Sequence, residues 1–156
     1  MDEKFYTQAL KFLSRRPRSE KEVIDNLLKK KAPQEQITII INLLKQQKFL
    51  DDKAFAKWWV EQRANFKPKG WYALQQELKL KGIPEKIIKE VEQEVKSGVM
   101  ELKSEFEQAL EIAQKRAKRM GSVSREETYQ KIGGLLARRG FNLDTIKAVI
   151  DQILHT

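Results

Sequence analysis

LQQELKLKGIPEKIIKEVEQEV, residues 74–95, reads as two amphipathic helices around a hard stop. Leu74 and Leu78 lie one helical turn apart, and Ile88, Val91 and Val95 recur at spacings of three and four, the period of a helix with one apolar face. Between them, Lys81-Gly82 ends the first helix, because glycine takes the left-handed turn past a helix terminus at little cost. Pro84 suits a first helical turn, where no N–H donor is needed. The same helix pair occurs 51 residues earlier and 58 residues later. Val23, Leu74 and Ile132 align; so do Leu27, Leu78 and Leu136; Ile37, Ile88 and Ile146; Ile40, Val91 and Val149; and Leu44, Val95 and Ile153. Five apolar positions agreeing in three copies without a gap identify an internal repeat.

Working outward, each pair is preceded by a further helix with apolar residues at relative positions 0, 3, 4 and 7. These are Tyr6, Ala9, Leu10 and Leu13; Asp52, Phe55, Ala56 and Trp59; and Phe106, Ala109, Leu110 and Ala113, where Asp52 alone breaks the apolar rule. Pro17 stops the first helix, predicted over about Phe5 to Arg16. Ser19 with Glu22 and Ser124 with Glu127 match the capping-box spacing at helix starts. No segment sustains strand-like alternation, so the chain is predicted to be all-α, with about nine helices forming three tandem three-helix repeats in an elongated, curved array. The expected boundaries give repeats 1–50, 51–98 and 99–156, with Ser97-Gly98 as the hinge. Gly133-Gly134 falls inside a predicted helix at a cost of about 1 kcal/mol per glycine, which close packing or local fraying would each explain.

The least generic run is KFLDDKAFAKWWVEQR, residues 48–63. Asp51 and Asp52 precede a helix, where short acceptors satisfy free N–H groups and negative charge meets the positive end of the dipole; the pair reads as a cap. Trp59 aligns with Leu13 and Ala113 and is expected in the core. Trp58 lies off that stripe, and Trp71 follows the basic turn Lys67-Pro68-Lys69-Gly70; each can pack between helices or meet a partner through its ring.

Composition narrows the chemistry. A chain of 156 residues can bury a core without staples, and with no cysteine it has neither disulfides nor thiolate metal sites. No apolar run approaches the roughly 20 residues of a membrane span, and Met1-Asp2-Glu3-Lys4-Phe5 lacks the basic-then-apolar layout of a secretory signal, so a soluble cytoplasmic protein without membrane contact is expected. His155 is the single histidine, which removes histidine triads and multi-histidine metal sites. Asp51, Asp52 and Glu61 lack the spacing of a calcium loop, and no phosphate-cradling glycine loop or nucleophile elbow occurs. The expectation is therefore a non-enzyme with no metal and no cofactor.

Lys plus Arg exceed Asp plus Glu by 31 to 22, most strongly in residues 1–50, with 11 basic and 6 acidic side chains. Such a surface favours a polyanion or an acidic protein face. The cations gather at element ends: Arg15, Arg16 and Arg18; Lys29, Lys30 and Lys31; Arg63, Lys67 and Lys69; Lys79 and Lys81; Arg116, Lys118 and Arg119; Arg138 and Arg139. Lys30/Lys31, Lys79/Lys81 and Arg138/Arg139 recur at the end of the second helix of each repeat, as one positive stripe would require. Dipole preference for cations at helix C-termini accounts for part of the pattern. These residues, Lys29 apart, form with Trp58 the candidate partner and DNA contacts.

Phe49-Leu50-Asp51-Asp52, then Phe55-Ala56, Arg63, Gly70 and Glu77-Leu78-Lys79-Leu80-Lys81-Gly82-Ile83, resemble the central signature of the RecX family of recombination regulators. Ala9-Leu10, Leu13, Arg16 and Ser19 ahead of it, and Leu136-Ala137-Arg138-Arg139-Gly140-Phe141 after it, extend the resemblance over essentially the whole chain. It departs from the family pattern at Lys31-Ala32, where a glycine often stands. A monomer is expected, and the resemblance implies tandem three-helix repeats that bind the RecA recombinase filament on DNA. It further implies restraint of strand exchange and coprotease activity, hence a place in homologous recombination, DNA repair and the SOS response, with some affinity for single-stranded and double-stranded DNA. The alternative is a free-standing helical DNA-binding protein, which would bind bare strand without the recombinase.

Overall fold

The computed structural model describes residues 2–155; the terminal residues 1 and 156, and with Met1 the first residue of the acidic start, lie outside them. Among the described residues it has nine α-helices and no strand: α1 (Glu3–Arg15), α2 (Glu20–Lys29), α3 (Gln34–Gln46), α4 (Asp52–Asn65), α5 (Trp71–Leu80), α6 (Glu85–Lys96), α7 (Glu105–Met120), α8 (Arg125–Arg138) and α9 (Leu143–Leu154). The all-α, tandem three-helix reading holds.

The local signals act as the chemistry requires. Ser19 accepts from the Glu22 N–H while the Glu22 carboxylate accepts from the Ser19 N–H, a reciprocal capping box that satisfies two donors a helix start leaves open. Ser124 likewise takes the Glu127 N–H, and the Glu127 carboxylate lies 4.0 Å from Lys131. Ser104 and Asn142 cap α7 and α9 in the same way.

The repeat alignment is visible in burial. Val23, Leu74 and Ile132 are buried, as are Leu27, Leu78 and Leu136, Ile37, Ile88 and Ile146, and Ile40, Val91 and Val149. In the fifth set Leu44 is fully buried, whereas Val95 and Ile153 are partly so. Two compact units result: one takes residues up to Trp59 with Leu78–Gln93, the other Val60–Glu77 with the chain from Glu94 onward. Helices α4, α5 and α6 each give residues to both. In the first unit Ala9, Val23, Leu27, Ile37, Ile40 and Leu44 form the core of α1, α2 and α3. In the second, Ala109, Ala113, Ile132, Leu136, Val149 and Ile150 do the same for α7, α8 and α9.

The predicted glycine stop after the second helix of each repeat is one backbone device filled three ways. Lys31, Gly82 and Gly140 occupy equivalent positions at φ +62°, +79° and +87°. The following N–H of Ala32, Ile83 or Phe141 returns to Leu27, Leu78 or Leu136, respectively, which closes the helix end. A lysine therefore holds a left-handed conformation that glycine would adopt without strain. Gly133 and Gly134 sit within regular helix, and Gly133 faces α9, where an added Cβ would meet Ile150 and Ile146 at 3.6 and 3.9 Å.

Candidate partner and nucleic-acid interface

The two aspartates that open α4 have separate jobs. Asp51 is the cap, accepting from the N–H groups of Lys53 (2.9 Å) and Ala54 (3.2 Å). Asp52 instead reaches the start of α2 and accepts the Glu20 N–H at 2.8 Å. That explains why a carboxylate stands where the other repeats place Tyr6 and Phe106. Burial pushes the Asp52 carboxyl above its ordinary range and the negative charge of Glu20 adds to this, against the opposing hydrogen bond from the Glu20 N–H.

Next to that contact lies a carboxylate shared by two cations. Glu22 accepts from both terminal guanidinium nitrogens of Arg16 and from Lys81 at 3.2 Å. Burial pushes its carboxyl up, but the hydrogen bonds from Arg16, the Ser19 N–H and Lys81 outweigh it and hold Glu22 below the ordinary range. Both cations also face indole rings, Arg16 at 5.8 Å from the Trp58 centroid and Lys81 at 5.1 Å from that of Trp59. Trp58 and Trp59 are each only partly buried, and both pack on buried Phe55. The expectation of a core Trp59 is corrected here: like Leu13 at the equivalent position of the first repeat it is only partly buried, packing on Phe55 with Lys81 over its ring. Arg18, in the connection between α1 and α2, folds back onto α1, donating from Nε to the Phe12 carbonyl with its guanidinium 3.8 Å from the Phe12 ring. Burial, then the charge of Arg16, lowers its pKa. Arg15, Lys30, Lys31 and Lys79 are exposed.

The second unit repeats the two-cation arrangement with other residues. Glu77 takes a two-pronged contact from Arg63, at 3.0 and 2.8 Å, and a third bond from Lys69 at 2.8 Å. Arg63 and Lys69 are thus engaged within the chain, as Arg16 and Lys81 are in the first unit. Lys67 is exposed with φ +53°. Arg139 donates to the Pro68 carbonyl at 3.3 Å, leaving Arg138 exposed beside it. At the end of α7, Lys118 and Arg119 are exposed and Arg116 is partly buried. Trp71 is partly buried, and its backbone N–H bonds to the Glu105 carboxylate.

The sixteen candidate residues thus fall into two sets, with Lys30, Lys31, Lys79 and Lys81 in the first unit and Arg138 and Arg139 in the second. The residues that organise them, Glu22 and Glu77, carry no sequence signal for that role, since the partner Lys81 is 59 residues from Glu22 and Arg63 is 14 from Glu77. Phe66 and Tyr72 were also missed. Both are exposed, and their place on either side of a basic turn was a usable signal.

These features define a tandem three-helix-repeat protein with cation-rich helix ends. Residues 6–42, 51–91 and 103–150 match family models describing the first, second and third three-helix domains of RecX. The chain belongs to the RecX family. Regulatory protein RecX of Bacillus licheniformis is 38% identical over 149 residues, which are 96% of this chain and 55% of that protein. The chain thus spans about half the length of the first curated relatives it matches. Regulatory protein RecX of Chlorobium phaeobacteroides is 30% identical and is matched over 97% of its length, 99% of this chain. The crystal structure of RecX from Lactobacillus salivarius has a TM-score of 0.83 at 28% identity, covering 99% of this chain and 97% of that one.

Proposed function

We propose that this chain is a regulator that binds the RecA recombinase filament on DNA and inhibits its recombinase and coprotease activities by occupancy, without chemistry of its own. The observation that carries the reading is the match of all three repeats to RecX domains, whose relatives are named as regulatory proteins. The exposed cations Lys30, Lys31, Lys67, Lys79 and Arg138 support it, because charge on a repeat surface suits acidic recombinase and DNA phosphate. The protein works as a cytoplasmic monomer in this reading. A strand-exchange or filament ATPase assay tests it: stoichiometric protein slows the recombinase, and Arg138→Glu with Lys79→Glu relieves that effect while circular dichroism stays helical. No inhibition by folded wild-type protein overturns the reading.

A further inference from the structure

The turn between α4 and α5 packs against the end of α8 and leaves two aromatic rings in solvent. Phe66 and Tyr72, 67% and 68% exposed, flank Lys67-Pro68-Lys69-Gly70. The core gives neither ring a task. Tyr72 is equivalent to Lys21 and Gln130 in the other repeats, both polar, so its position is a solvent-facing one.

The turn is held by backbone. The Gly70 N–H donates to the Arg139 carbonyl at 2.8 Å, and a Cβ on Gly70 would stand 2.2 Å from the Gly140 oxygen, so only glycine permits the approach. Arg139 ties the turn a second time through the Pro68 carbonyl. These contacts bring the exposed end of α8, with Arg138, to the turn that carries Phe66, Lys67 and Tyr72. Of the carboxylates here, Glu77 is matched by Arg63 and Lys69, and Glu105 receives the Trp71 N–H.

We propose that Phe66 and Tyr72 stack on unpaired bases of single-stranded nucleic acid, with Lys67 and Arg138 taking the adjoining phosphates. Exposed rings beside exposed cations are what a strand with splayed bases recognises, whereas a duplex keeps its base faces stacked and out of reach. The bonds from Gly70 and Arg139 and the ring of Pro68 hold the turn before binding, which lowers the ordering cost. The inference rests on the DNA-contacting half of the function proposed above, and bare strand without recombinase separates the two.

The test is anisotropy of a fluorescein-labelled oligothymidylate against the full chain over a salt series. Phe66→Ala with Tyr72→Ala is expected to weaken binding by about 30-fold or more, with the salt slope unchanged because stacking releases no counterions. Lys67→Ala is expected to lower the slope by about 0.7, and Tyr72→Phe to retain affinity. Ultraviolet crosslinking of wild-type protein to oligonucleotide carrying 5-iododeoxyuridine should label Phe66 or Tyr72. The proposal is overturned if the double variant, helical by circular dichroism, binds within about 2-fold of wild type, or if blunt duplex loses as much affinity as single strand. Crosslinks confined to other residues overturn it as well. If filament inhibition survives either result, this site is removed and the regulatory reading stands.

Discussion

Lys31→Gly should stabilise the protein, and its neighbour Lys30→Gly should do the reverse. Lys31 has φ +62° at the turn that ends α2, where Gly82 and Gly140 serve the other repeats. A left-handed conformation costs a residue with a Cβ about 1–2 kcal/mol. Glycine removes that strain but widens the unfolded ensemble, which takes back about 0.5–1 kcal/mol. The exposed side chain has little packing to lose, so the net gain is about 0.5–1 kcal/mol, worth roughly 2 °C in Tm for a chain of this size. Lys30, at φ −82° and ψ +5°, is unstrained, so glycine there costs about 0.5–1 kcal/mol. The two variants remove the same charge from the same helix end, so any charge effect is common to both and the difference isolates backbone strain. Urea unfolding at fixed salt measures it. Shifts of the midpoint in the same direction for both variants would refute the argument.

Three further outcomes follow from the packing and the ion pairs. Gly133→Ala should raise stability by about 1 kcal/mol in thermal unfolding, since the new methyl meets Ile150 and Ile146 at ordinary contact distance and helix propensity improves; a loss would mean the α8–α9 contact is tighter than it stands. Asp52→Asn should stabilise at neutral pH. The folded carboxyl binds its proton more tightly than the unfolded one, so wild-type stability falls as pH rises from the ordinary 3.8 through the raised folded value; the variant's advantage should vanish below that window, and an advantage independent of pH would exclude the mechanism. Glu22→Gln has the opposite profile. Its depressed carboxyl contributes stability in full above the ordinary 4.5 and loses it as pH falls through the lower folded value, so the variant should be less stable by about 2 kcal/mol at neutral pH, with the gap closing in acid.

The helices and core were legible because each apolar face is written three times, and any one copy checks the others. The two ends of α4 were not. Asp52 looked like a second cap because its true donor, the Glu20 N–H, lies 32 residues away on another helix. Glu22 was read only as half of a capping box, a local pattern, while its work with Arg16 and Lys81 depends on where α5 packs. Trp59 was placed by alignment alone, which reports direction from a helix axis and says nothing of how deeply that position is buried. The counted cations were real, but ion pairing is a property of the fold: Arg63 and Arg138 look alike in sequence, and one is clasped by Glu77 while the other is exposed.

The unit of repetition in the sequence differs from the unit of compaction in the fold, because α4, α5 and α6 each lend residues to both compact bodies. A fragment cut at the repeat boundary near residue 98 keeps Val60–Glu77 but discards most of the residues with which that segment forms its compact body. A fragment starting there loses the same partnership from the other side. Dissection by repeat should therefore give pieces that melt broadly or resist purification, and duplication or deletion of the middle repeat during evolution would rewrite two interiors at once.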